Sequence, residues 1–284
     1  EDTSKRLLRD ICVYSILYLD NASALLRFVA LGNAGLQAFM ENESNWYAAS
    51  DSNLNLLVLH AMRILMQSLR LKGSIVQNMD SLSPLEQMIY TQPKQRDTLK
   101  IIPIVANYMA YPFNRRFSVL SCRLLRRFAI EFQSSLTACL DLEPDQVRMM
   151  FLQRLRDELE SDDLKVSILD FVNACIDKQP GLTEAFFRVS YDQVSRHNFF
   201  LKRTSESESM CDGIIVYMEE FLETVEKDPT KITNDQLKRI MNLFHSLWKQ
   251  GLQSLVSSLL KKPNFWSSLC NPIMSPPINN YQYS

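Results

Sequence analysis

Apolar residues recur along this chain at intervals of three and four, and we find no convincing stretch of strict apolar and polar alternation. Such spacing is typical of amphipathic α-helices rather than strands. Thr233 with Gln236 three residues later forms the pattern of a capping box, which satisfies free amides in a first helical turn. A helix is therefore predicted to begin there, with one core-facing stripe: Leu237, Ile240, Met241, Phe244, Leu247 and Trp248.

Two other segments carry clear helix signals. The segment "SDDLKVSILDFVNACIDKQPG" begins with the cap-forming Ser161 or Asp162, and we expect its helix to stop at Pro180-Gly181. The segment "LEPDQVRMMFLQRLRDELE" begins near Pro144, which suits a first helical turn because no N–H is needed there. The same reasoning predicts further helices near residues 4–19, 21–31, 34–41, 54–71, 98–110, 116–139, 183–190, 211–227 and 252–261.

Ten or more helices joined by short turns predict an all-α fold, either a closed bundle or a stack of helical hairpins. The segment Leu54–Leu69 is apolar nearly all round, as expected for an enclosed helix, whereas residues 211–227 have a wide acidic face, as expected for an outer one. This alternation favours a right-handed α-solenoid of stacked antiparallel helix pairs, of HEAT or armadillo type. We predict one continuous solenoid segment over residues 1–284, with a sub-boundary near residues 72–97.

Composition supports helices and excludes several site types. Six glycines in 284 residues is roughly 2%, against a usual 7% or so. The motif "GNAG", Gly32–Gly35, matches neither the dinucleotide nor the P-loop fingerprint. A net charge of -1 gives no overall bias toward nucleic acid or anionic membrane. The most apolar segment contains His60 and Arg63, so we expect no membrane span, and a start at Glu1 indicates a fragment of a longer soluble chain.

The cysteines and histidines show no spacing that is typical of a metal site or of a catalytic site. We expect the cysteines, which lack any CxxC pair, to be reduced thiols packed as small apolar groups in a nuclear or cytosolic protein. His60 is expected to be a buried, hydrogen-bonded side chain, with His197 in a loop and His245 beside Trp248. No metal-ligand spacing surrounds them, so we predict no metal, cofactor or catalytic residue, although a Cys–His pair from distant segments stays open. The cysteines are Cys12, Cys122, Cys139, Cys175, Cys211 and Cys270.

Charged clusters indicate surfaces rather than reactions. Glu219, Glu223 and Glu226 share one helix face, which can do acid–base work but is expected to be solvated, because the apolar residues of that helix lie opposite. The segment "SESES", Ser205–Ser209, is predicted to be a flexible acidic loop whose serines can be phosphorylated.

The most basic segment is "NRRFSVLSCRLLRRFAIEF". Its basic face can meet phosphate or an acidic partner segment, and a solvated outer face is the alternative. No RNA-recognition or zinc-finger pattern accompanies it, so we expect no direct nucleic-acid binding. The basic residues are Arg116, Arg123, Arg126 and Arg127, and the apolar stripe is Phe117, Leu120, Leu124 and Phe128.

Near the end of the chain, "LLKKPNFWSSLCNPI" juxtaposes lysines and aromatic residues. Lys261 and Lys262 fall in the last turn of a predicted helix, where cations offset the helix dipole, and Pro263 ends that helix. Phe265 and Trp266 are then expected to face the core. This interpretation is preferred over a nucleic-acid grip, which needs exposed aromatic residues.

The run "LFHSLWKQGLQSLVSSLLKKPNFWSSLCNPI" resembles the metazoan large inner-ring scaffold nucleoporins, most closely the class named for one hundred eighty-eight kilodaltons. A helix like the family's "LHALW" lies at Phe244–Trp248, "K-P-x-F-W" at Lys262–Trp266, and "PI" at Pro272-Ile273. Upstream, Gln179–Leu182 matches the family's "QPGL". The match covers about the last third of the chain, and the first 160 residues agree only in helical, glycine-poor character.

The resemblance implies an internal piece of a long α-solenoid that acts as a structural scaffold of the nuclear pore inner ring, at the nuclear envelope. Its implied partners are linear peptide segments of other inner-ring nucleoporins, and also Phe-Gly repeats, with no small-molecule substrate. Partner segments would lie in grooves between stacked helices and so support nucleocytoplasmic transport. The alternatives are a karyopherin-like transport receptor or other HEAT-repeat adaptor, and an enzyme with a dispersed site. The resemblance transfers no functional residues.

Overall fold

The computed structural model describes residues 2–19, 21–42, 53–75, 82–90, 100–132, 135–187, 213–228 and 233–252. Over these residues the fold is helical, without strands, and the predicted all-α helical-repeat class is confirmed. The chain divides into two compact units, Glu1–Glu143 and Pro144–Ser284. The helices are α1 (Asp2–Tyr18), α2 (Ala22–Val29), α3 (Gly32–Asn42), α4 (Asn53–Ile75), α5 (Pro84–Tyr90), α6 (Ile101–Asn107), α7 (Arg115–Glu131), α8 (Leu136–Leu140), α9 (Pro144–Arg156), α10 (Asp162–Lys178), α11 (Pro180–Phe187), α12 (Ile214–Lys227) and α13 (Asn234–Lys249), with a 3₁₀ turn at Tyr108–Ala110.

The first unit is organised around α4, which packs against α1, α2 and α7. Met62, Leu65 and Leu69 of α4 are fully buried in that core. Helix α7 also packs on α6 and on the 3₁₀ turn, while α5 packs against α1 and α6. The sub-boundary predicted near residues 72–97 falls inside this unit, and the single continuous solenoid over residues 1–284 stays a prediction.

Tyr108, in the 3₁₀ turn, fastens the junction between α2 and α3. Its hydroxyl accepts a hydrogen bond from Gly32 N and donates one to Val29 O, both at 2.9 Å. Gly32 has a φ of +64°, a left-handed conformation that glycine adopts without steric cost. The ring of Tyr108 also stacks on Phe117 of α7, with centroids 5.1 Å apart. One buried residue therefore links three neighbouring elements.

The second unit packs α10 against α9, α11 and α13. Its centre is a triangle of buried aromatic rings, Phe151, Phe171 and Phe186, with centroid distances of 5.1, 5.6 and 5.9 Å. Such tilted and edge-on pairs add to the burial of the rings themselves. This triangle therefore draws one aromatic residue from each of α9, α10 and α11.

Two predicted helix boundaries are wrong for identifiable reasons. The predicted helix over 116–139 is two helices, α7 and α8, because the backbone at Phe132 is extended. The predicted stop at Pro180-Gly181 is confirmed, since α10 ends at Lys178, but the helix predicted over 183–190 begins at Pro180, because proline suits a first helical turn. Thr183 Oγ1 donates to Cys175 O at 2.9 Å, which satisfies a carbonyl near the end of α10.

Helix α5 falls within residues 72–97, for which the sequence predicts no helix. Several predicted features lie outside the described residues. They are residues 253–261 of the helix predicted at 252–261, the loop containing His197, and the segments Ser205–Ser209 and Leu259–Ile273. The other predicted helices within the described ranges are confirmed to within a few residues, although the one predicted over 98–110 is divided between α6 and the 3₁₀ turn.

Candidate functional site

The histidines do not form a reactive site in the part of the chain that the structure describes. His60 is exposed on α4, so its predicted burial is wrong, and His245 is exposed on α13. The reason is that α1, α2 and α7 leave one strip of α4 uncovered, and His60 lies on it. Over the described ranges no group of three or more His, Cys, Asp or Glu residues could hold a metal ion.

The cysteines vary in environment. Cys122 and Cys175 are buried as predicted, whereas Cys12 is exposed on α1, which corrects the expectation of a packed side chain. Burial raises the pKa of the half-buried Cys139 thiol above its ordinary value, which keeps it protonated and weakly nucleophilic at neutral pH. Burial gives the sulfurs of Cys122 and Cys175 packing roles rather than chemical ones.

Among the residues that the structure describes, the most buried charged side chain is that of Glu86, at the start of α5. Lys72 Nζ donates to its two oxygens at 3.0 and 2.7 Å, and Ser83 donates to Oε2 through both its N, at 2.6 Å, and its Oγ, at 2.8 Å. Ser83 and Glu86 form a capping box, and Lys72 reaches it from α4. These four hydrogen bonds, from three donor atoms, occupy both oxygens of the carboxylate, so this cluster joins α4 to α5.

The acidic face of α12 is solvated, as predicted for its described side chains. Glu223 is exposed and Glu219 half-buried, while the side chain of Glu226 is outside the described part. The neighbouring Glu220 forms a two-pronged pair with Arg156 of α9, at 3.0 and 3.1 Å. These carboxylates contribute surface charge and one helix-to-helix link.

An outward apolar row lies on α1. Leu7, Ile11 and Tyr14 follow intervals of four and three residues, Leu8 lies beside them, and all four are 50% to 63% exposed. Val13 and Leu17, on the other side of the same helix, are buried in the first unit. Helix α1 is therefore apolar both toward its own core and away from it, which is typical of a surface that another element covers.

A second apolar strip follows the outward side of α4. Leu57 and Ile64 are 50% and 40% exposed, and His60 lies between them. The predicted enclosure of Leu54–Leu69 is therefore wrong over this strip. The sequence did not predict this exposed strip, because helical periodicity is the same for an apolar side that packs on its own core and for one that is exposed to solvent.

A basic face lies on α7. Arg115, Arg116, Arg123 and Arg126 are exposed, and Arg127 is half-buried beside Glu131, with Nη1 2.8 Å from Oε1. The apolar stripe predicted opposite this face is buried as expected, with Phe117, Leu120, Leu124 and Phe128 all in the core. The structure therefore exposes three candidate interaction surfaces in its described part, apolar on α1 and α4 and basic on α7.

No single helix among the described residues is long and apolar enough to cross a membrane. The bent pair Thr3–Tyr18 and Ala22–Val29 passes the same test of length and composition when the two helices are taken together. The angle between them is 74°. Val13, Leu17, Leu26 and Val29 of this pair are buried inside the first unit.

Comparison with known proteins identifies relatives over nearly the whole chain. Residues 2–190 match the family described as "Nucleoporin Nup188, N-terminal subdomain III". Nucleoporin Nup188 of Drosophila melanogaster is 50% identical over 271 residues, which are 95% of this chain and 14% of that protein. The Xenopus tropicalis and Homo sapiens Nup188 proteins are 26% and 24% identical, and the chain spans 15% of each.

Proposed function

The chain belongs to the Nup188 family of nucleoporins, and on that premise we propose that it forms part of a structural scaffold in the inner ring of the nuclear pore complex, at the nuclear envelope. It acts by binding other nucleoporins through helical-repeat surfaces and so supports nucleocytoplasmic transport. It turns over no substrate. Its partners are linear segments of inner-ring nucleoporins, together with Phe-Gly repeats.

The observation that carries this proposal is the apolar row of α1. Complete burial of one such side chain stabilises an interface by about 1.5–3 kcal/mol, so four side chains that are each at least half exposed make a substantial docking surface. The chain spans only 14% to 15% of the length of its relatives, so a covering layer can come from the rest of such a protein or from another nucleoporin. Both are the contacts of a scaffold.

The apolar strip of α4 offers a second, narrower surface. Leu57 and Ile64 lie two helical turns apart, which is the spacing at which a partner helix or extended segment inserts successive apolar anchors. Phenylalanine side chains of Phe-Gly repeats suit the same strip because binding there needs only apolar contact.

The experiment that tests the proposal is complex formation between the full-length protein and purified inner-ring nucleoporins, followed by size-exclusion chromatography. A scaffold is expected to form complexes that survive addition of the GTP-loaded transport GTPase. Release by that GTPase would support the receptor alternative, and failure to bind any inner-ring nucleoporin would contradict the scaffold proposal.

A matched pair of variants tests the role of α1. Ile11→Asp introduces a charge into the apolar row and is expected to reduce complex formation about tenfold or more. Asn242→Asp introduces the same charge at an exposed position on a different helix, α13, and is expected to leave the complex intact. Equal behaviour of the two variants would show that the row is not an interface.

A further inference from the structure

All five arginines of α7 point to the same side of the helix. Successive residues are rotated by about 100°, which places the five within an arc of about 120°. The rest of the circumference carries the residues that pack on α4 and α6. We call the outward arc, with Phe113 just before it, the arginine face; its arginines are Arg115, Arg116, Arg123, Arg126 and Arg127.

Most of the positive charges of the arginine face do not help to stabilise α7 as a helix. Glu131 is the one acidic residue in α7, and it pairs with Arg127. Arg115 and Arg116 lie in the first turn, where the helix dipole disfavours cations. Solvated faces usually intersperse charges of both signs. Because the whole chain has a net charge of -1, this concentration is local.

Two apolar side chains lie on the midline of the arginine face, eleven residues apart and with arginines between them. Val119 and Ile130 are half-buried, and both fall inside the arc of arginines. Phe113 is 43% exposed and packs its ring edge-on against Tyr111, with centroids 5.6 Å apart. An apolar line with cations on either side complements a helix whose apolar stripe is flanked by acidic residues, as in coiled-coil pairing.

We propose that the arginine face binds an acidic, amphipathic segment of a partner protein. Guanidinium groups bind carboxylates through two parallel hydrogen bonds, which favours arginine over lysine at such a surface. Helix α7 is about 25 Å long, so the segment it accommodates has roughly the same number of residues as α7 itself. The apolar line and the absence of an overall positive charge favour a protein segment over nucleic acid or an anionic membrane.

This inference deepens the proposed scaffold function, and rests on it, by naming the chemistry of one partner segment. The test uses the full-length protein and a fluorescent synthetic peptide of roughly three heptads, with Leu at the a and d positions and Glu elsewhere. A peptide with Gln in place of Glu keeps the apolar stripe and removes the charge. Oligouridine RNA and phosphatidylserine vesicles are the probes for the other classes of partner.

Reversing the charge of Arg116 and Arg126, in the double variant R116E/R126E, is expected to weaken binding of the Glu peptide about tenfold or more. The double variant K238E/K249E makes the same change of net charge on exposed residues of α13 and is expected to bind as the unaltered protein does. Binding is also expected to weaken as ionic strength rises.

Three results would overturn the inference. R116E/R126E could bind the Glu peptide as tightly as the unaltered protein does, or the unaltered protein could bind the Gln peptide as tightly as the Glu peptide. In the third, R116E/R126E loses binding to RNA or to vesicles but keeps its binding to the Glu peptide. Residence of the protein at the nuclear rim is measured separately. If rim residence is stable and the peptide result is negative, this inference fails alone. Rapid exchange of the unaltered protein would instead remove the scaffold function on which it rests.

Discussion

The hydroxyl of Tyr108 shows how much of the first unit depends on one polar group. It is buried between the end of α2 and the start of α3, where it pairs with one backbone N–H and one backbone carbonyl. Removing a buried partner leaves both backbone groups without a hydrogen bond, which costs more than the bond itself contributed. The junction therefore depends on tyrosine specifically, although phenylalanine fills the same volume.

Tyr108→Phe is expected to lower the free energy of unfolding by about 1–3 kcal/mol, measured by urea denaturation near pH 8. Tyr14→Phe is the control, because Tyr14 is half exposed and its ring contact with Tyr18 survives loss of the hydroxyl. A Tyr108→Phe protein as stable as the control would contradict the role assigned to the Gly32 and Val29 bonds.

Alkaline pH tests the same hydroxyl. Burial raises the pKa of Tyr108 above its ordinary value of about 10, although the Gly32 N–H bond acts in the opposite direction. The unfolded chain then releases this proton at a lower pH than the folded one, so stability falls as the pH rises above about 10. Tyr108→Phe should lose less stability between about pH 8 and 11 than the unaltered protein.

At the scale of single residues, the sequence shows helix-capping signals more clearly than it shows which side chains meet in the folded structure. The run Ser83–Glu86 carries the S-x-x-E signal of a capping box, and Pro84 fits a first turn, so the start of α5 was recognisable although no helix was predicted there. Lys72 as the third member had no local signal, because it arrives from α4 through tertiary packing. His60 was placed in the core because its neighbours are apolar, yet the side of α4 on which it lies is uncovered.

Among the helices, α13 shows that the position of a helix can be predicted from the sequence while its buried side is not. Its start is confirmed, since Thr233 accepts from Gln236 N at 3.4 Å. Gln236 does not complete the predicted capping box but donates to Asp162 at the start of α10, at 2.8 Å. The buried side is also rotated from the predicted stripe: Leu243 is fully buried, and Trp248 is 55% exposed. Packing on α10 decides which side turns inward, and the sequence of α13 alone could not show it.

Two alanine substitutions test this orientation of α13. Leu243→Ala is expected to destabilise the protein by about 2–5 kcal/mol, because it leaves a cavity in the second unit. Trp248→Ala removes a larger but mostly exposed side chain and is expected to cost less than about 1 kcal/mol. Both are measured by urea denaturation of the chain. A larger cost for Trp248→Ala would restore the stripe predicted from the sequence.

Across the whole molecule, the fold class was accessible from the sequence because helical spacing and scarce glycine both indicate helices. The interaction surfaces were accessible only in part. The arginines of α7 were visible as a basic face, whereas the apolar row of α1 looked like ordinary core. An apolar side chain that meets a partner and one that meets its own core have the same composition and period, so only the packed structure separates them.

The central claim is that this chain is part of a stationary scaffold of the nuclear pore. The most direct measurement is photobleaching recovery of the full-length protein, tagged at its own locus. The account predicts a punctate nuclear rim with negligible recovery on the order of an hour, since residence times of tight complexes extend to days. Diffuse signal, or rim signal that recovers within seconds, would contradict a scaffold and place the protein among mobile receptors or adaptors.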